Sequence, residues 1–204
     1  MKVLMIILIS VTAIRLYAQV DTIRFENGQV KAVGISGVSG KSGVWNYYYP
    51  NGGVNSILSY QRNELNGRQQ YYSFDGKLIG LEFYQDGLLQ DTAKYYYPSG
   101  QLEKYGIYRD GLYKGVWSFY YENGNLKRKG VYEEGIPMGH WSFYFENGEV
   151  NQVGMLIDGL EDGFWVYHDE DGSQLYEGFW KKGEKVGQWY RYKKGKKKPW
   201  KKFN

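Results

Sequence analysis

The sequence predicts an all-β protein, an elongated single-layer antiparallel meander of about seven β-hairpin repeats, each 24 residues long. The first observation is a set of glycines that recur at this interval: Gly28, Gly52, Gly76, Gly100, Gly124, Gly148 and Gly172. The second is composition, because 22 Tyr and 28 Gly without a long apolar stripe of helical period are typical of strands joined by tight turns. A sustained period of this length indicates a repeat architecture without a large central core.

Each repeat carries two turn signals. In the unit that starts at Gly115 these are Asn123-Gly124 and Glu134-Gly135. Asn-Gly and Asp-Gly pairs favour type I′ turns, which need positive φ at two residues and join adjacent antiparallel strands. We therefore predict two-residue turns at both positions, so that hairpins follow one another directly. The Gly/Ser-rich segment 36–43 takes the place of one such turn and is predicted to be a loop.

The predicted two-residue turn fixes the pairing within a hairpin. It places Trp117 opposite Gly130 and Tyr121 opposite Leu126. Two later units repeat the pattern: Trp141 faces Gly154, and Trp165 faces Gly178. Because an indole can fill the space beside a glycine in a sheet, we predict that each Trp covers the glycine that it faces. Two positions depart from this rule: Trp45 would face Leu58, and Ala93 would face Gly106.

Alternation of side chains along a strand defines two faces. The first face carries Trp117, Phe119 and Tyr121, and we predict that it is the better packed one. The second face carries a row of aromatic residues at the repeat interval, in which His168 takes one place. We predict that the tyrosines of this row bind a partner, because fewer apolar side chains cover them. This tyrosine row consists of Tyr48, Tyr72, Tyr96, Tyr120, Tyr144 and Tyr192.

The N-terminal segment resembles a secretory signal peptide. Lys2 precedes the apolar run 3–14, and a small residue follows at Ala18. The run is shorter than the ~20 residues that cross a bilayer. We predict that residues 1–18 are a signal peptide and that the protein is exported to the periplasm or the extracellular space. The alternatives are an uncleaved N-terminal anchor and a first buried strand.

Charge is divided unevenly along the chain. Residues 19–180 hold 13 Lys/Arg and 21 Asp/Glu, whereas residues 181–204 hold 11 Lys/Arg and one acid. We predict a basic C-terminal tail over residues 196–204, with Lys196, Lys197, Lys198 and Trp200 as its candidate binding residues. Cations interleaved with aromatic rings suit an anionic membrane surface, and the predicted export argues against nucleic acid. The alternative, which we favour, is a solvated cap that keeps the last edge strand from pairing with another chain.

The repeats resemble MORN repeats in their bacterial variant form. The likeness extends over most of residues 19–195, which we predict to be one repeat domain. It implies a curved sheet of hairpins that serves as a scaffold or interaction module; some members are proposed to bind acidic phospholipids, and many bacterial ones carry an antitoxin label. The residues that carry it in one unit are Gly115, Trp117, Tyr120, Tyr121, Asn123, Gly124 and Leu126.

The sequence offers little catalytic chemistry. The absence of Cys excludes disulfides, thiolate metal sites and cysteine nucleophiles. His140 and His168 have no partners at metal or triad spacing, and the acidic segment 169–171 is too short for a calcium loop. We therefore predict a non-enzymatic protein without a cofactor or metal.

The function predicted from these observations is that of a binding or scaffold module in the cell envelope, whose partner is a protein or an envelope polymer. One alternative is a glycan- or peptidoglycan-associated module. Another is an antitoxin-like protein of a toxin–antitoxin system, and a third is an enzyme whose site lies at the strand ends.

Overall fold

The computed structural model describes residues 19–204, which form one open antiparallel sheet of 17 strands. Strand order in the sheet follows the chain, except that β5 and β6 together form one interrupted strand beside β4. The predicted all-β meander is therefore confirmed. None of residues 19–204 is helical, so this part of the chain contains no helix that is long and apolar enough to cross a membrane. The predicted signal peptide lies outside the described residues.

The strands have the following bounds: β1 Gln19–Arg24, β2 Val30–Gly37, β3 Gly40–Tyr48, β4 Val54–Gln61, β5 Glu64–Leu65, β6 Gly67–Tyr72, β7 Leu78–Gln85, β8 Leu88–Tyr96, β9 Leu102–Arg109, β10 Leu112–Tyr120, β11 Leu126–Glu133, β12 Ile136–Tyr144, β13 Val150–Ile157, β14 Leu160–His168, β15 Gln174–Lys181, β16 Glu184–Lys193 and β17 Lys196–Phe203. The segment 36–43, predicted to be a loop, is mostly strand, because β2 and β3 continue through it to a short turn at 38–39. Its glycines do not prevent pairing, since β1 and β4 flank the β2–β3 hairpin and complete its ladders.

The two turns of a repeat are of different types. Glu134-Gly135 has positive φ at both residues, 49° and 81°, as a type I′ turn requires. At the other turn the Gly124 amide donates to the Tyr121 carbonyl (3.0 Å), and the Tyr121 amide donates to the Asn125 carbonyl (2.8 Å). This is a three-residue loop in which Gly124, with φ 89°, takes the left-handed position that follows a type I turn. The prediction of a two-residue turn at Asn123-Gly124 is wrong.

The longer loop changes only the pairing beside it. Tyr120, and not Tyr121 as predicted, lies opposite Leu126, and an irregularity in the ladder then restores the predicted register. Trp117 consequently lies opposite Gly130. The same facing pairs recur as predicted for Trp141 with Gly154 and Trp165 with Gly178.

Each core Trp covers a glycine of the preceding strand, and the prediction that it covers the glycine it faces is wrong. A Cβ added to Gly106 would lie 2.2 Å from Cδ2 of Trp117, whereas one added to Gly130 would meet Trp141. The cause is a bulge in β10, where residues 115–117 together stand against the single position of Gly106. The pairs are Trp45 over Gly34, Trp117 over Gly106, Trp141 over Gly130, Trp165 over Gly154 and Trp189 over Gly178.

This geometry accounts for the positions that broke the predicted rule. Gln69 and Ala93 replace Trp, and the residues 11 positions earlier are Leu58 and Glu82 instead of glycine. The side chain of Gln69 is fully buried and bonds to the amide (2.8 Å) and carbonyl (3.1 Å) of Ser59. At the position 11 residues earlier, a glycine is therefore present only where an indole lies above it.

The first face is the packed face, as predicted. Trp117 is 0% exposed, and the ring of Tyr113 stacks on its indole with a centroid distance of 3.9 Å. The indole N–H donates to the carbonyl of Ile107 (3.0 Å), which holds the ring over β9. Strand contacts are concentrated between consecutive strands, so the core is a shallow ribbon of aromatic side chains that runs along the sheet.

Candidate functional site

The tyrosine row lies on the second face, beside the three-residue turns. Its members end β3, β6, β8, β10 and β12, and Tyr192 is the penultimate residue of β16. All six are half-buried, so part of each ring is open to solvent. The structure therefore places these predicted binding residues in one line. Neighbouring members from Tyr48 to Tyr144 are two strands or ~9.5 Å apart, and Tyr192 follows four strands after Tyr144 because His168 takes the place between them.

Hydrogen bonds between repeats fix the backbone of the row. The hydroxyl of Tyr97 donates to the carbonyl of Tyr120 (2.8 Å), and the hydroxyl of Tyr121 donates to the carbonyl of Tyr144 (2.8 Å). Tyr49 makes the same bond to Tyr72 (2.8 Å). Because each bond crosses from one hairpin to the next, the spacing of the row is set by the packed repeats.

Ring packing within the row varies along the sheet. Tyr120 stacks on Tyr105, with 6.2 Å between the two ring centroids. The pKa of the Tyr120 hydroxyl is raised above its ordinary value, mainly because the group is buried and to a smaller extent because Tyr105 is close. Elsewhere the position equivalent to Tyr105 is aliphatic or charged, so the tyrosine rings have smaller or polar neighbours. These neighbours are Val33, Ile57, Leu81, Lys129, Val153 and Glu177.

A second feature of this face was missed by the sequence analysis. A line of apolar side chains runs beside the tyrosine row, and each member remains 39–52% exposed. Val44, Val116 and Phe164 directly precede a Trp, and this position carried the available signal. We call this line the apolar stripe; it consists of Ile35, Val44, Phe83, Ile107, Val116, Phe164 and Phe179.

The basic C-terminal residues form a strand, β17, which pairs with β16. Register divides its predicted binding residues between the two faces: Lys197 lies opposite Tyr192 on the second face, whereas Lys198 lies opposite Arg191 on the first. Trp200 is 41% exposed. As the outermost strand of the sheet, β17 occupies the position in which lysines discourage pairing with another chain.

Tyr192 and Lys197 meet at the carboxylate of Glu177, which is 7% exposed. The Tyr192 hydroxyl donates to Oε2 (3.0 Å), the Gln174 amide donates to the same atom (2.7 Å), and Lys197 forms an ion pair with Oε1. Burial acts to raise the pKa of Glu177, but bonds from Lys197, Tyr192 and Gln174 outweigh it and hold the pKa below 4.5. This cluster ties β17 to β15 across β16.

The Glu177 cluster predicts a stability difference that depends on pH. Because folding lowers the pKa of Glu177, its contribution is complete above the ordinary value of 4.5 and is lost as the pH falls through the folded-state pKa. We expect Glu177→Gln to unfold at lower denaturant concentration than the wild type at pH 7, and the gap between the two midpoints to narrow as the pH falls below 4.5. Urea titrations at pH 7, 5 and 3 would measure this, and a gap that did not narrow between pH 5 and pH 3 would contradict it.

The two histidines lie apart in the sheet. His140 is exposed in β12. Nδ1 of His168 in β14 is buried and has no hydrogen-bond partner among residues 19–204. Across residues 19–204, no group of three or more His, Asp or Glu side chains is arranged to hold a metal ion. The described surface therefore presents aromatic, apolar and basic side chains rather than a metal-binding constellation.

The repeat geometry agrees with a family comparison. A family model described as MORN repeat variant matches residues 41–62, 65–86, 92–110 and 113–134. Four repeats within residues 41–134 are thus similar to MORN-variant repeats. Each matched segment covers a Trp-position strand, its three-residue turn and the returning strand, and the hairpins after residue 134 continue the same 24-residue period. MORN repeats indicate a repeat-based binding module. A comparison with curated proteins gave no match.

Proposed function

We propose that this protein is an exported, non-enzymatic binding module of the cell envelope and that its partner lies along the second face. The observation that carries the proposal is the contrast between the two faces. The core Trp side chains of the first face are 0–2% exposed, whereas the apolar stripe is 39–52% exposed. Exposed apolar side chains gathered on one face are typical of interaction sites, and tyrosine is enriched in interfaces.

The partner is proposed to be extended, because the tyrosine row and the apolar stripe both run along the sheet. A protein segment could place side chains between successive tyrosines, and an envelope polymer could do the same with its repeating units. The half-exposed tyrosine rings specifically favour a second candidate, a glycan or peptidoglycan strand, since an aromatic ring can pack against the apolar face of a sugar. The basic C-terminal strand is proposed as a secondary electrostatic contact.

Export is tested by locating the protein and sequencing its N-terminus. We expect a C-terminally tagged protein to be recovered from the envelope or the medium, with Gln19 as its first residue. The predicted signal peptide, residues 1–18, supports this expectation. Recovery of an uncleaved protein from the cytoplasm would contradict export and would favour the antitoxin-like alternative.

Binding along the second face is tested by removing two neighbouring tyrosines. We expect Tyr120→Ala combined with Tyr144→Ala to weaken retention on purified cell-wall glycan, or on an immobilised envelope protein fraction, by about tenfold, since 1.4 kcal/mol corresponds to a factor of ten. The expected loss is moderate because both rings are already half-buried by the sheet itself. Retention on the glycan, the protein fraction or both would identify the class of partner.

The matched control removes two half-buried tyrosines from the first face. Tyr60→Ala combined with Tyr84→Ala deletes the same side chains at positions that lie opposite first-face residues. We expect this variant to bind as the wild type does. Equal losses in both double variants would show that the second face has no special role in binding.

A further inference from the structure

We propose that the first face of the β16–β17 hairpin is a binding site for an acidic glycan, a polysaccharide that carries carboxylate or phosphate groups. The site is formed by four cations and by an aromatic pair in which Trp200 is exposed and Tyr176 is half-buried. It lies on the opposite face of the sheet from the tyrosine row. It gives a ligand class to the basic C-terminal strand, the secondary contact proposed above, without depending on the second-face site.

Four cations occupy adjacent cross-strand positions at this end of the sheet. Arg191 lies directly opposite Lys198, and Lys193 lies directly opposite Lys196. Alternation from the buried Trp189 places all four on the first face, and all four are exposed. Side chains in such pairs have Cβ atoms ~5 Å apart, and like charges so placed destabilise the sheet. A bound anion would relieve this repulsion.

Protein carboxylates within residues 19–204 leave this cluster without an ion pair. The ion pairs that the structure describes are Lys77–Asp75, Lys114–Glu133 and Lys197–Glu177, and none includes a member of the cluster. The nearest of them in the sheet, Lys197–Glu177, lies on the second face. The hairpin thus neutralises its second-face lysine and leaves its first-face cations available to a ligand.

Edge protection accounts for only part of this arrangement. Lysines on β17 discourage pairing at the open edge, but Arg191 and Lys193 belong to β16, which is already paired on both sides. In the six preceding repeats the position of Arg191 is aromatic. These residues are Tyr47, Tyr71, Tyr95, Phe119, Phe143 and Tyr167. The last repeat has therefore exchanged a packing residue for a cation at an interior strand.

An aromatic platform stands beside the cations. Trp200 is 41% exposed, and its ring centroid lies 4.9 Å from that of Tyr176, which itself is opposite Arg191 on β15. The ammonium of Lys185 lies 4.5 Å from the ring centroid of Trp189 and 5.6 Å from that of Trp200, which adds charge at the base of the platform. The exposed ring of Trp200 next to cations matches a ligand that combines sugar rings with acidic groups.

The size of the site favours a glycan over nucleic acid. The cations span two cross-strand pairs of one hairpin, whereas nucleic acid needs a longer basic track because its phosphates are densely spaced. The sheet before this hairpin is acidic, with 21 Asp/Glu against 13 Lys/Arg in residues 19–180, and would repel such a polyanion. A glycan with one charge per sugar unit fits a short cationic cluster.

The test uses polygalacturonate as the acidic glycan and polyglutamate as an acidic polymer without rings. We expect Lys196→Gln combined with Lys198→Gln to weaken polygalacturonate binding about tenfold or more, given a contribution of ~1 kcal/mol for each Lys near an anionic surface. The matched control, Lys181→Gln combined with Lys202→Gln, makes the same charge change at exposed positions of the second face and should change binding less than about threefold. Affinities are measured by titration of intrinsic fluorescence, with melting temperatures as a check on folding.

The role of the rings is tested with Trp200→Ala. We expect this variant to bind polygalacturonate more weakly and to bind polyglutamate as the wild type does. Equal losses in the two double lysine variants, or polyglutamate binding as tight as polygalacturonate binding, would overturn the proposal in favour of unspecific charge attraction. Tighter binding to phosphatidylglycerol vesicles or to a single-stranded oligonucleotide would also overturn it. The Tyr120→Ala, Tyr144→Ala variant should bind polygalacturonate normally, which separates this site from the second face.

Discussion

An alanine in place of Gly106 is expected to destabilise the protein by about 2–3 kcal/mol, near the upper end of the usual cost of overpacking. The added Cβ would lie 2.2 Å from Cδ2 of Trp117. The indole cannot withdraw easily, because it is 0% exposed, stacks on Tyr113 and donates a hydrogen bond to Ile107. Urea denaturation followed by circular dichroism would measure the change.

Two comparisons isolate the contact with the indole. Gly37→Ala changes a strand glycine whose Cβ would meet nothing within 4 Å, and we expect a change within about 0.5 kcal/mol. In a Trp117→Ala background the added methyl of Gly106→Ala should cost little, since its obstacle is gone. The chain already contains this combination at Ala93, where Glu82 stands at the place of the glycine. An equal cost of Gly106→Ala in both backgrounds would contradict the proposed contact.

Much of the fold could be predicted because its determinants are local. The 24-residue period, the alternation of side chains and the type I′ turn at Glu134-Gly135 depend on residues that are close in sequence. The facing pair Trp117–Gly130 was predicted correctly even though the turn beside it was not, because the irregularity next to Leu126 compensates for the longer loop. The longer loop shifts the pairing by one residue, and the irregularity between Phe119 and Tyr120 shifts it back, so the register of the rest of the hairpin is as predicted.

The direction of each indole could not be predicted from alternation alone. It depends on the bulge in which residues 115–117 stand against one position of β9. Alternation assigns a face but does not say which neighbouring strand a large ring will cover. A usable signal was present in the sequence, since a glycine lies 11 residues before every core Trp and is missing before Gln69 and Ala93.

The candidate site was predicted in part for a similar reason. The tyrosine row follows from the repeat period, so its line on the second face could be predicted. The apolar stripe could not, because Val116 or Phe164 beside a Trp is ordinary strand sequence, and its exposure depends on the described sheet having one layer. The ion pair of Lys197 with Glu177 could not be predicted either, because Glu177 lies 20 residues earlier and the sequence around it does not mark it as the partner of a lysine.

Removing an indole from the core is expected to have the largest effect on stability. Trp117→Ala should cost about 3–5 kcal/mol, as is typical when a buried aromatic side chain is truncated and its cavity cannot collapse. Here the cavity would be lined by Tyr108, Tyr113 and Phe119, whose ring centroids lie within 6.0 Å of the indole. Chemical denaturation would measure the loss, and Trp200→Ala, which truncates a half-exposed indole, should cost far less.

The same variant tests how stability is distributed along the sheet. Strand contacts are concentrated between consecutive strands, so a cavity under Trp117 should weaken β9, β10 and β11 before more distant hairpins. Hydrogen exchange of Trp117→Ala is expected to show the largest loss of protection in these three strands, while β13 to β16, which hold two pairs of Trp and glycine of their own, stay protected longer. An equal loss of protection in every strand would show that the sheet opens as one unit. It would refute the view that each hairpin is coupled only to its neighbours.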